Sequence, residues 1–312
     1  MNQARERVVV LGPGAMGCLF AALLKKGGAD VWLLDKRPER ARLLSGRGIV
    51  LERGGVRETV PVPVTADPAA AGPARLLIVC VKAYDTAAAA GLAAGATGPE
   101  TLLLSLQNGV GNVEALVEVF GRERTLGGTT AQGANLAAPG HVRHAGVGET
   151  VIGQPGGGLE RAAYAAGLLV AAGIEARVTE DLDAVIWSKL TINAAINPLT
   201  AILRVRNGAL AEDENARALM RAAAEETAAV AAARGIQLLY PDPFAKVLAV
   251  AEATAENISS MHQDARAKRR TEIDQIGGAV AAEAERLGVR APVNRALALL
   301  IKALEASYNK MV

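Results

Sequence analysis

The sequence predicts an α/β fold in which a doubly wound parallel sheet is followed by an all-α domain. Two observations lead to this prediction. Short β-branched runs alternate with helical segments over roughly the first 120 residues, a pattern typical of a parallel sheet covered by helices on both faces. Beyond residue 181 the strand signals stop and Ala-, Leu- and Glu-rich segments follow. A chain of 312 residues is long enough for two domains, which we place at residues 1–180 and 181–312.

The N-terminal part predicts a series of strand–helix pairs. A buried strand, VVVL, ends at a glycine-rich turn and is followed by a helix and a second buried strand, VWLL, which together make a βαβ unit. Further along, short Gly- and Pro-containing pieces predict partly antiparallel strands. The predicted elements are strands at 8–11, 31–34, 75–81, 101–106 and 174–178, helices at 15–26, 84–95, 112–119 and 159–172, and short strands within 124–155.

The C-terminal part predicts helices alone, separated from one another by glycine and proline. Asn197-Pro198 lies inside the first of these helices, and we expect it to disturb the backbone because a residue before proline avoids helical geometry. The predicted helices span 183–203, 211–234, 243–273, 276–287 and 293–309.

The composition argues against several classes of function. Charged residues make up 21% of the chain and the net charge is +2, so we expect neither nucleic acid nor a membrane surface as a partner. Aromatic residues make up only 3%, which leaves few rings for stacking on bases. The apolar run at 8–24 is interrupted by glycines and a proline, which argues against a signal peptide or a membrane anchor.

The cysteines indicate the compartment. Cys18 and Cys80 are the only two in the chain, and both lie in apolar surroundings. Two isolated thiols suit a reducing environment and argue against a disulfide framework. We therefore expect a cytoplasmic protein.

The first turn carries a glycine motif. Residues 12–17, GPGAMG, fit the pattern G-x-G-x-x-G directly after the first predicted strand and at the start of the first helix. The first glycine permits the tight turn, the second lets the backbone approach a pyrophosphate, and the third allows close packing of helix on strand. The motif and its position predict a Rossmann-type dinucleotide-binding domain.

The end of the second strand bears on the choice of dinucleotide. Asp35 stands 18 residues after Gly17, where an acid usually binds the ribose hydroxyls of NAD. Lys36 and Arg37 follow it, and a basic residue here can accept the 2′-phosphate of NADP. The alternative is that both are solvated loop charges, so the spacing leaves the cofactor open.

Two polar residues follow later strands. Lys82 comes after RLLIVCV and Asn108 after TLLLSLQ. In an open α/β sheet the ligand crevice lies beyond the carboxyl ends of the strands, so both side chains can reach a ligand there. The alternative is that each is an ordinary loop residue.

A row of polar side chains marks the first C-terminal helix. Lys189, Asn193 and Asn197 are spaced i, i+4, i+8 among apolar neighbours and therefore lie on one helical face. A polar row on a mostly apolar helix is costly unless it faces a polar cleft; a solvent-facing stripe is the alternative. Lysine can donate a proton to a carbonyl oxygen that is being reduced, and partial burial would lower its pKa toward the working range.

A second polar row falls within the predicted helix 243–273. Steps of 100° place its members within about 120° of arc, which predicts hydroxyl, amide and carboxylate groups facing one ligand. The basic residues around position 268 are expected to form a solvated face. The members of the row are Asn257, Ser260, Asp264, Lys268 and Glu272.

The histidines do not indicate a metal site. His141 and His144 are separated by two residues in a predicted strand-and-turn stretch, and His262 stands alone. None has another ligand at a useful spacing. We therefore expect no metal.

Several longer segments occur together in a fixed order. They are GPGAMG at 12–17, CVKAYDT at 80–86, LQNGVGN at 106–112, KLTINAAINPLTAI at 189–202 and TAENISSMHQDARAKRRTEIDQIGG at 254–278. With these segments the chain resembles the ketopantoate reductases over its whole length. The last segment is long enough to be far more specific than the glycine motif.

The resemblance implies reduction of 2-dehydropantoate to (R)-pantoate with NADPH, in the pathway to pantothenate and coenzyme A. It implies that Lys189 is the general acid and that Glu272 acts with it between cofactor and substrate. The residues implied for the cofactor are Gly12, Pro13, Gly14, Ala15, Met16, Gly17, Lys36, Lys82, Asn108, Ala134 and Glu272, and those implied for the substrate are Asn108, Asn193, Asn197, Asn207, Asn257 and Ser260.

Asp35 is a departure from the family pattern. Members that use NADPH typically have a basic residue here with no acid before it, and Lys36 can be aligned to that basic residue. We therefore expect NADP(H), with NAD(H) as the alternative because of Asp35. The partner is a small-molecule substrate, and the oligomeric state stays open, with a homodimer as one alternative.

Two other functions are compatible with the same residues. One is a reductase of another branched 2-keto acid, on the same scaffold with a reshaped pocket. The other is a dinucleotide sensor without turnover, which would not need a proton donor such as Lys189.

Overall fold

A computed structural model describes residues 6–310 and divides the chain into two compact units. The first unit runs to Leu182 without the segment Asn108–Val110, and the second contains that segment together with the chain from Asp183 onward. The predicted first domain, residues 1–180, includes Asn108–Val110. Residues 1–5, which belong to the basic stretch MNQARER before the apolar run at 8–24, lie outside the described residues.

The first unit contains two sheets. The strands are β1 (Arg7–Leu11), β2 (Asp30–Leu34), β3 (Ile49–Arg53), β4 (Val56–Val60), β5 (Val64–Thr65), β6 (Ala74–Val79), β7 (Thr97–Ser105), β8 (Thr125–Thr130), β9 (Gly133–Ala138), β10 (His141–Gly146), β11 (Thr150–Gly153) and β12 (Ala176–Thr179). The helices are α1 (Ala15–Lys26), α2 (Pro38–Arg47), α3 (Pro68–Ala71), α4 (Thr86–Ala94), α5 (Asn112–Phe120) and α6 (Glu160–Ala171).

The larger sheet has eight strands in the order β12-β11-β8-β7-β6-β1-β2-β5. All neighbours pair in parallel except β8 and β11, which are antiparallel. The sheet is buried on both faces, as the alternation along β1 shows: Val8 and Val10 join one apolar cluster, and Val9 and Leu11 join the other. The predicted doubly wound sheet is confirmed.

The smaller sheet has the order β4-β3-β10-β9. It contains a hairpin of β3 and β4, and β3 pairs in parallel with β10. No element was predicted between residues 36 and 74, so α2, β3, β4, β5 and α3 were missed, whereas β9 and β10 lie within 124–155, where short strands were predicted. Four of the five residues of β4 are exposed, and Arg57 and Glu58 are among them, which weakens the apolar signal that a buried strand gives.

The second unit is helical, as predicted. Its helices are α7 (Leu182–Leu203), α8 (Ala209–Glu212), α9 (Glu214–Ala233), α10 (Pro243–Ala253), α11 (Ser260–Arg266), α12 (Gly277–Leu287) and α13 (Pro292–Ser307). Helix α7 continues past Asn197-Pro198 to Leu203, so the proline does not end the helix. Among residues 6–310, every helix is too short or too polar to cross a lipid bilayer.

The single helix predicted over 243–273 is wrong. The chain leaves helical geometry after Ala253, restarts at Ser260, and ends again at Arg266. Ser259 begins the second piece, because its hydroxyl caps the backbone N–H of His262 at 3.1 Å. Lys268, with φ of 51°, follows the end of that piece in the left-handed region. The polar row therefore does not share one helical face.

Candidate active site

The glycine turn sits between β1 and α1 and leaves no room for larger residues at two positions. Gly12 has φ of 102°, and a Cβ there would lie 2.8 Å from Val81 Cγ1. A Cβ on Gly17 would lie 1.8 Å from the Gly12 carbonyl oxygen. Both positions therefore require glycine.

Gly14 differs from its two neighbours in the motif. A Cβ there would meet its nearest protein atom, the Cys80 carbonyl oxygen, only at 3.9 Å. Gly14 is also the N-cap of α1, whose first turn has no side-chain cap and no acidic residue. Space in front of uncapped helical N–H groups suits a bound anion, so the turn fits the pyrophosphate of a dinucleotide.

Four neighbouring strands of the larger sheet end close to residues predicted to bind the cofactor or next to them. In the order β7-β6-β1-β2, they lead to Gln107, Lys82, Gly12 and Asp35. Because these strands are parallel, their ends meet at one edge of the sheet, which is where ligands bind in such folds.

A buried polar network holds two of these strand ends together. The Gln107 amide donates to the Val81 carbonyl at 2.9 Å and to Thr86 Oγ1 at 2.8 Å. Thr86 Oγ1 also lies 2.9 Å from Asn112 Oδ1. The network fixes the segments on either side of Lys82 and before Asn108. This network was not predicted from the sequence, although Thr86 belongs to the segment CVKAYDT and both Gln107 and Asn112 belong to LQNGVGN.

Asp35 is fully buried in this structure. Arg40, on α2, holds it through two hydrogen bonds, from Nε to Oδ2 at 2.5 Å and from Nη2 to Oδ1 at 2.6 Å. Lys36 and Arg37 are exposed, and Lys36 Nζ lies 3.0 Å from Asp85 Oδ2. Arg40 played no part in the sequence analysis, because the pair joins residues five apart across a strand end and a helix.

Ala134 lies on β9, in the smaller sheet, opposite His144 of β10. It is half-buried and borders the same apolar cluster as Met16. The structure thus places this predicted cofactor residue on a strand of the smaller sheet, packed against the core that also supports α1.

In the second unit, the two residues predicted to be catalytic are Lys189 and Glu272, and the charge of Glu272 acts on Lys189. Lys189 is half-buried on α7, and Glu272 is buried at the start of a short 3₁₀ turn, Ile273–Gln275. Burial lowers the pKa of Lys189 to about 8, and the nearby charge of Glu272 opposes that shift. A lysine in this state can donate and recover a proton near neutral pH.

The segment before Glu272 is held from α13. Glu305 Oε1 accepts the backbone N–H of Thr271 at 2.8 Å and its hydroxyl at 2.7 Å. Thr271 precedes Glu272 directly, so this contact fixes where the Glu272 backbone lies. Glu305 was not predicted to have any role.

Asn193 and Asn197 lie on α7 with Lys189, as predicted. Asn193 is half-buried and Asn197 is buried. Both are therefore shielded from bulk solvent to a degree that a solvent-facing stripe would not be.

Two further predicted residues meet in the second unit. The backbone N–H of Asn207 donates to the Asn257 carbonyl at 3.1 Å, and Asn207 Nδ2 donates to Thr254 Oγ1 at 2.9 Å. The buried Asn207 Oδ1 has no hydrogen-bond partner among residues 6–310. An unpaired buried acceptor is costly unless a ligand supplies a donor.

Ser260 is the first residue of α11 and is half-buried. Its neighbour Ser259 is already engaged, since its Oγ lies 2.7 Å from Thr200 Oγ1 and caps the helix. Of the two serines, Ser259 therefore has a structural role.

Asn108 belongs to a segment that docks beside Glu272. The Val110 N–H donates to the Gln275 carbonyl at 3.0 Å, and the Gln275 N–H donates to the Glu272 carbonyl at 3.1 Å. Gly109, at φ of 84°, passes so close that a Cβ would lie 2.3 Å from the Gln275 oxygen. The structure thus brings the segments of Asn108 and Glu272 together.

Asp264 and Lys268, from the second predicted row, differ in burial. Asp264 is buried and pairs with Arg269 at 3.3 Å, whereas Lys268 is exposed. Over residues 6–310, no three His, Cys, Asp or Glu side chains are grouped as a metal site would require.

Comparison with known proteins identifies the family. The family described as "Ketopantoate reductase PanE/ApbA" matches residues 8–157, and its C-terminal counterpart matches residues 181–305. The 2-dehydropantoate 2-reductase of Halobacterium salinarum is 38% identical over 298 residues, which cover 95% of this chain and 98% of the relative. That of Archaeoglobus fulgidus is 38% identical over 303 residues, with 96% and 98% covered.

Solved structures agree with this result. A PanE/ApbA family ketopantoate reductase from Ralstonia eutropha JMP134 has a TM-score of 0.88 at 34% identity, covering 96% of this chain and 99% of the other. A ternary structure of D-mandelate dehydrogenase with NADH and anilino(oxo)acetate has a TM-score of 0.90 at 27% identity, covering 97% and 99%.

The fold and its glycine turn define an oxidoreductase that uses a nicotinamide dinucleotide. Within that class, the chain belongs to the ketopantoate reductase family. The resemblance noted from the sequence is confirmed.

Proposed function

We propose that the chain is a 2-dehydropantoate 2-reductase, which reduces the C2 ketone of ketopantoate to give (R)-pantoate for pantothenate and coenzyme A biosynthesis. NADPH is the proposed hydride donor and Lys189 the general acid. The relatives that are 38% identical over nearly the whole chain support this substrate. The free thiols of Cys18 and Cys80 favour the cytoplasm as the location.

The observation that carries the proposal is that Lys189 is half-buried on α7 and close enough to the buried Glu272 for its charge to act on the lysine. Burial lowers the pKa of Lys189 to about 8, so most of the lysine is still protonated at neutral pH. A general acid works best when its pKa lies near the working pH. An exposed lysine, with its ordinary pKa near 10.4, would be a weaker acid.

The proton chemistry follows from these two side chains. NADPH, when bound, supplies a hydride to the carbonyl carbon. Lys189 in its ammonium form donates a proton to the carbonyl oxygen and becomes a neutral amine, which water then reprotonates. Glu272 favours the ammonium form, because its carboxylate charge opposes the effect of burial.

The amide and hydroxyl side chains of the second unit fit the substrate. Ketopantoate offers a carboxylate, a carbonyl and a hydroxyl group. Asn207 Oδ1, which lacks a partner among the described residues, can accept from a substrate hydroxyl. Asn193, Asn197, Asn257 and Ser260 can donate to the carboxylate or carbonyl.

The glycine turn supports dinucleotide binding. Gly12 and Gly17 are fixed as glycine by close backbone contacts, and Gly14 leaves space in front of the helix. These residues would hold the pyrophosphate. Lys36 and Lys82, which follow β2 and β6, the two strands that flank β1, are proposed to bind the cofactor as well. Ala134 and Asn108 are proposed to complete the cofactor site.

A second candidate is the reduction of a different 2-keto acid. It is favoured by the likeness to D-mandelate dehydrogenase at a TM-score of 0.90. This candidate keeps the Lys189 chemistry and changes only the side chain of the substrate. A hydrophobic pocket discriminates weakly between similar side chains, so only an assay separates the two.

The test is a steady-state assay of the purified chain that follows loss of the reduced nicotinamide absorbance. Ketopantoate is compared with 2-ketoisovalerate, pyruvate and phenylglyoxylate, each with NADPH and with NADH. We expect the highest kcat/KM for ketopantoate with NADPH. A higher value for another acid would establish the second candidate, and binding of NADPH without turnover of any acid would indicate a sensor.

The role of Lys189 is tested with a matched pair of variants. Lys189→Met should fold and lose about 10²–10⁴-fold in kcat, the usual contribution of a positioned proton donor. Lys246→Met, which changes an exposed lysine on α10, should retain activity. Near-full activity of Lys189→Met would remove Lys189 from the mechanism.

A further inference from the structure

In dinucleotide-binding sheets, the residue at the carboxyl end of the second strand distinguishes the free ribose of NADH from the 2′-phosphorylated ribose of NADPH. In this chain that residue is Asp35, and its carboxylate is bound by Arg40. We propose that Arg40 is a specificity-determining residue: by holding Asp35 as a buried counter-ion, it withdraws that carboxylate from the ribose and biases the site toward the 2′-phosphate of NADPH. The inference rests on the proposed nicotinamide dinucleotide function. It explains how a chain with an acid at this position can prefer NADPH.

Both oxygens of Asp35 are engaged by protein donors. Oδ1 accepts from Arg40 Nη2 at 2.6 Å and from the Arg37 backbone N–H at 3.1 Å, and Oδ2 accepts from Arg40 Nε at 2.5 Å. A two-point contact between guanidinium and carboxylate is among the stronger hydrogen-bonded pairs in proteins.

Burial closes the remaining approach to Asp35. The relative exposure of its side chain is 0%, against 33% for Arg40. A ribose hydroxyl can reach this carboxylate only if the guanidinium moves away. Such a displacement would leave the two charges unpaired, which is unfavourable in a buried place.

The position of Asp35 relative to the pyrophosphate turn makes this relevant to the cofactor. The Gly12 N–H donates to the carbonyl of Leu34 at 2.9 Å, and the Asp35 N–H donates to the carbonyl of Thr65 at 2.9 Å. The residue before Asp35 is therefore bonded to the first glycine of the motif. An adenosine ribose that follows a pyrophosphate on that turn reaches the end of β2.

The charges left at this strand end favour a phosphate. The pair of Asp35 and Arg40 is neutral as a whole, so its carboxylate does not repel an anion. Lys36 and Arg37 are exposed beside it. The contact of Lys36 with Asp85 is a surface ion pair, exposed to 57% and 36%, and such pairs are weak, so a 2′-phosphate can compete for the lysine.

Two other charged residues of α2 pair with each other, away from Asp35. Glu39 and Arg42 lie 3.9 Å apart at the surface, with side-chain exposures of 82% and 78%. Arg42 therefore shares the helix and the charge of Arg40 without its contact to Asp35. It provides the matched control.

The first test compares Arg40→Met with Arg42→Met. Dissociation constants for NADPH and NADH are measured by fluorescence titration, and kcat/KM is measured with each. In Arg40→Met the released carboxylate repels the phosphate and can accept ribose hydroxyls, so the preference for NADPH over NADH should fall about tenfold or more, as expected for one charge-assisted hydrogen bond. Arg42→Met should change it by about twofold at most, as for a surface ion pair.

A second pair of variants guards against loss of folding in Arg40→Met. The double change Asp35→Asn with Arg40→Met leaves no buried unpaired charge, and it should keep the wild-type preference for NADPH. Asp35→Asn alone should leave NADH binding within about twofold, because a buried carboxylate held by arginine makes no ribose contact. If Asp35 binds ribose, this variant should instead weaken NADH binding about tenfold.

The outcomes separate the inference from the proposed function. Failure to bind either dinucleotide, or to turn over any 2-keto acid, would defeat the proposed function. Turnover with a wild-type preference for NADH, or an unchanged preference in a folded Arg40→Met variant, would overturn the role of Arg40 alone.

Discussion

The approach of Gly109 to Gln275 gives a prediction that can be worked out from the structure. Gly109→Ala adds a Cβ that would lie 2.3 Å from the Gln275 carbonyl oxygen, at φ of 84°. The left-handed backbone costs a non-glycine residue about 1–2 kcal/mol, and overpacking adds about 1–3 kcal/mol. The expected loss in free energy of unfolding is therefore about 2–5 kcal/mol.

The variant should also reduce activity. The segment must shift to relieve the clash, which weakens the hydrogen bond from Val110 to Gln275 and moves Asn108. Because a displacement of about 1 Å can cost about 10²-fold in rate, we expect kcat/KM to fall by about that factor.

Gly111→Ala is the control that separates backbone strain from a steric clash of the added Cβ. Gly111 has φ of 91°, but a Cβ at this position would have no neighbouring atom within 4 Å, so the variant should lose only about 1–2 kcal/mol and keep most activity. Urea unfolding and the ketopantoate assay are run on both variants. Equal effects of the two changes on stability and on kcat/KM would refute the docking of Asn108 through Gly109.

Two further predictions concern the glycine turn and the acid beside the lysine. Gly14→Ala should fold, because its Cβ has 3.9 Å of clearance, and should weaken NADPH binding in a fluorescence titration; Gly17→Ala, with 1.8 Å, should instead fail to give a stably folded protein by circular dichroism. The reverse order would contradict the proposed site. Glu272→Gln removes a charge that raises the pKa of Lys189, so the alkaline limb of the rate profile should move to lower pH. A move to higher pH would contradict the effect of Glu272 on Lys189.

Much of the fold could be predicted because its signals are local. The strands β1, β2 and β6 are short apolar runs that end at turn residues, and the parallel sheet follows from their alternation with helices. The glycine turn was recognisable because its motif lies between a strand and a helix. Lys189 and its two asparagines were found by helical spacing on α7, which the structure retains through Pro198.

The failures came from contacts between distant residues. Helical propensity continues across 254–272, but the Asn257 carbonyl is bonded by Asn207 and Ser259 starts a new helix. Local periodicity carries no information about such bonds. The same is true of the docking of Gly109 on Gln275, which joins residues far apart in the chain.

Asp35 shows that spacing from a motif is not enough to identify a residue that binds the cofactor. Its distance from the glycine motif indicates a ribose ligand, whereas its burial and its contact with Arg40 indicate a structural role. Asp35 directly follows a strand and Arg40 lies on the next helix, so their spacing of five residues matches no regular pattern of paired side chains. Only the three-dimensional structure distinguishes a free carboxylate from an occupied one.

The most direct test of the central claim is the pH dependence of kcat/KM for ketopantoate with NADPH, from about pH 6 to about pH 10. Lys189 must be protonated to act as the acid, so the rate should be constant below its pKa of about 8 and fall about tenfold per pH unit above it. Lys189→Arg, which keeps the charge but cannot release a proton, should be nearly inactive. A wild-type profile that stays flat to the alkaline end, or an active Lys189→Arg variant, would contradict the assignment of Lys189 as the general acid.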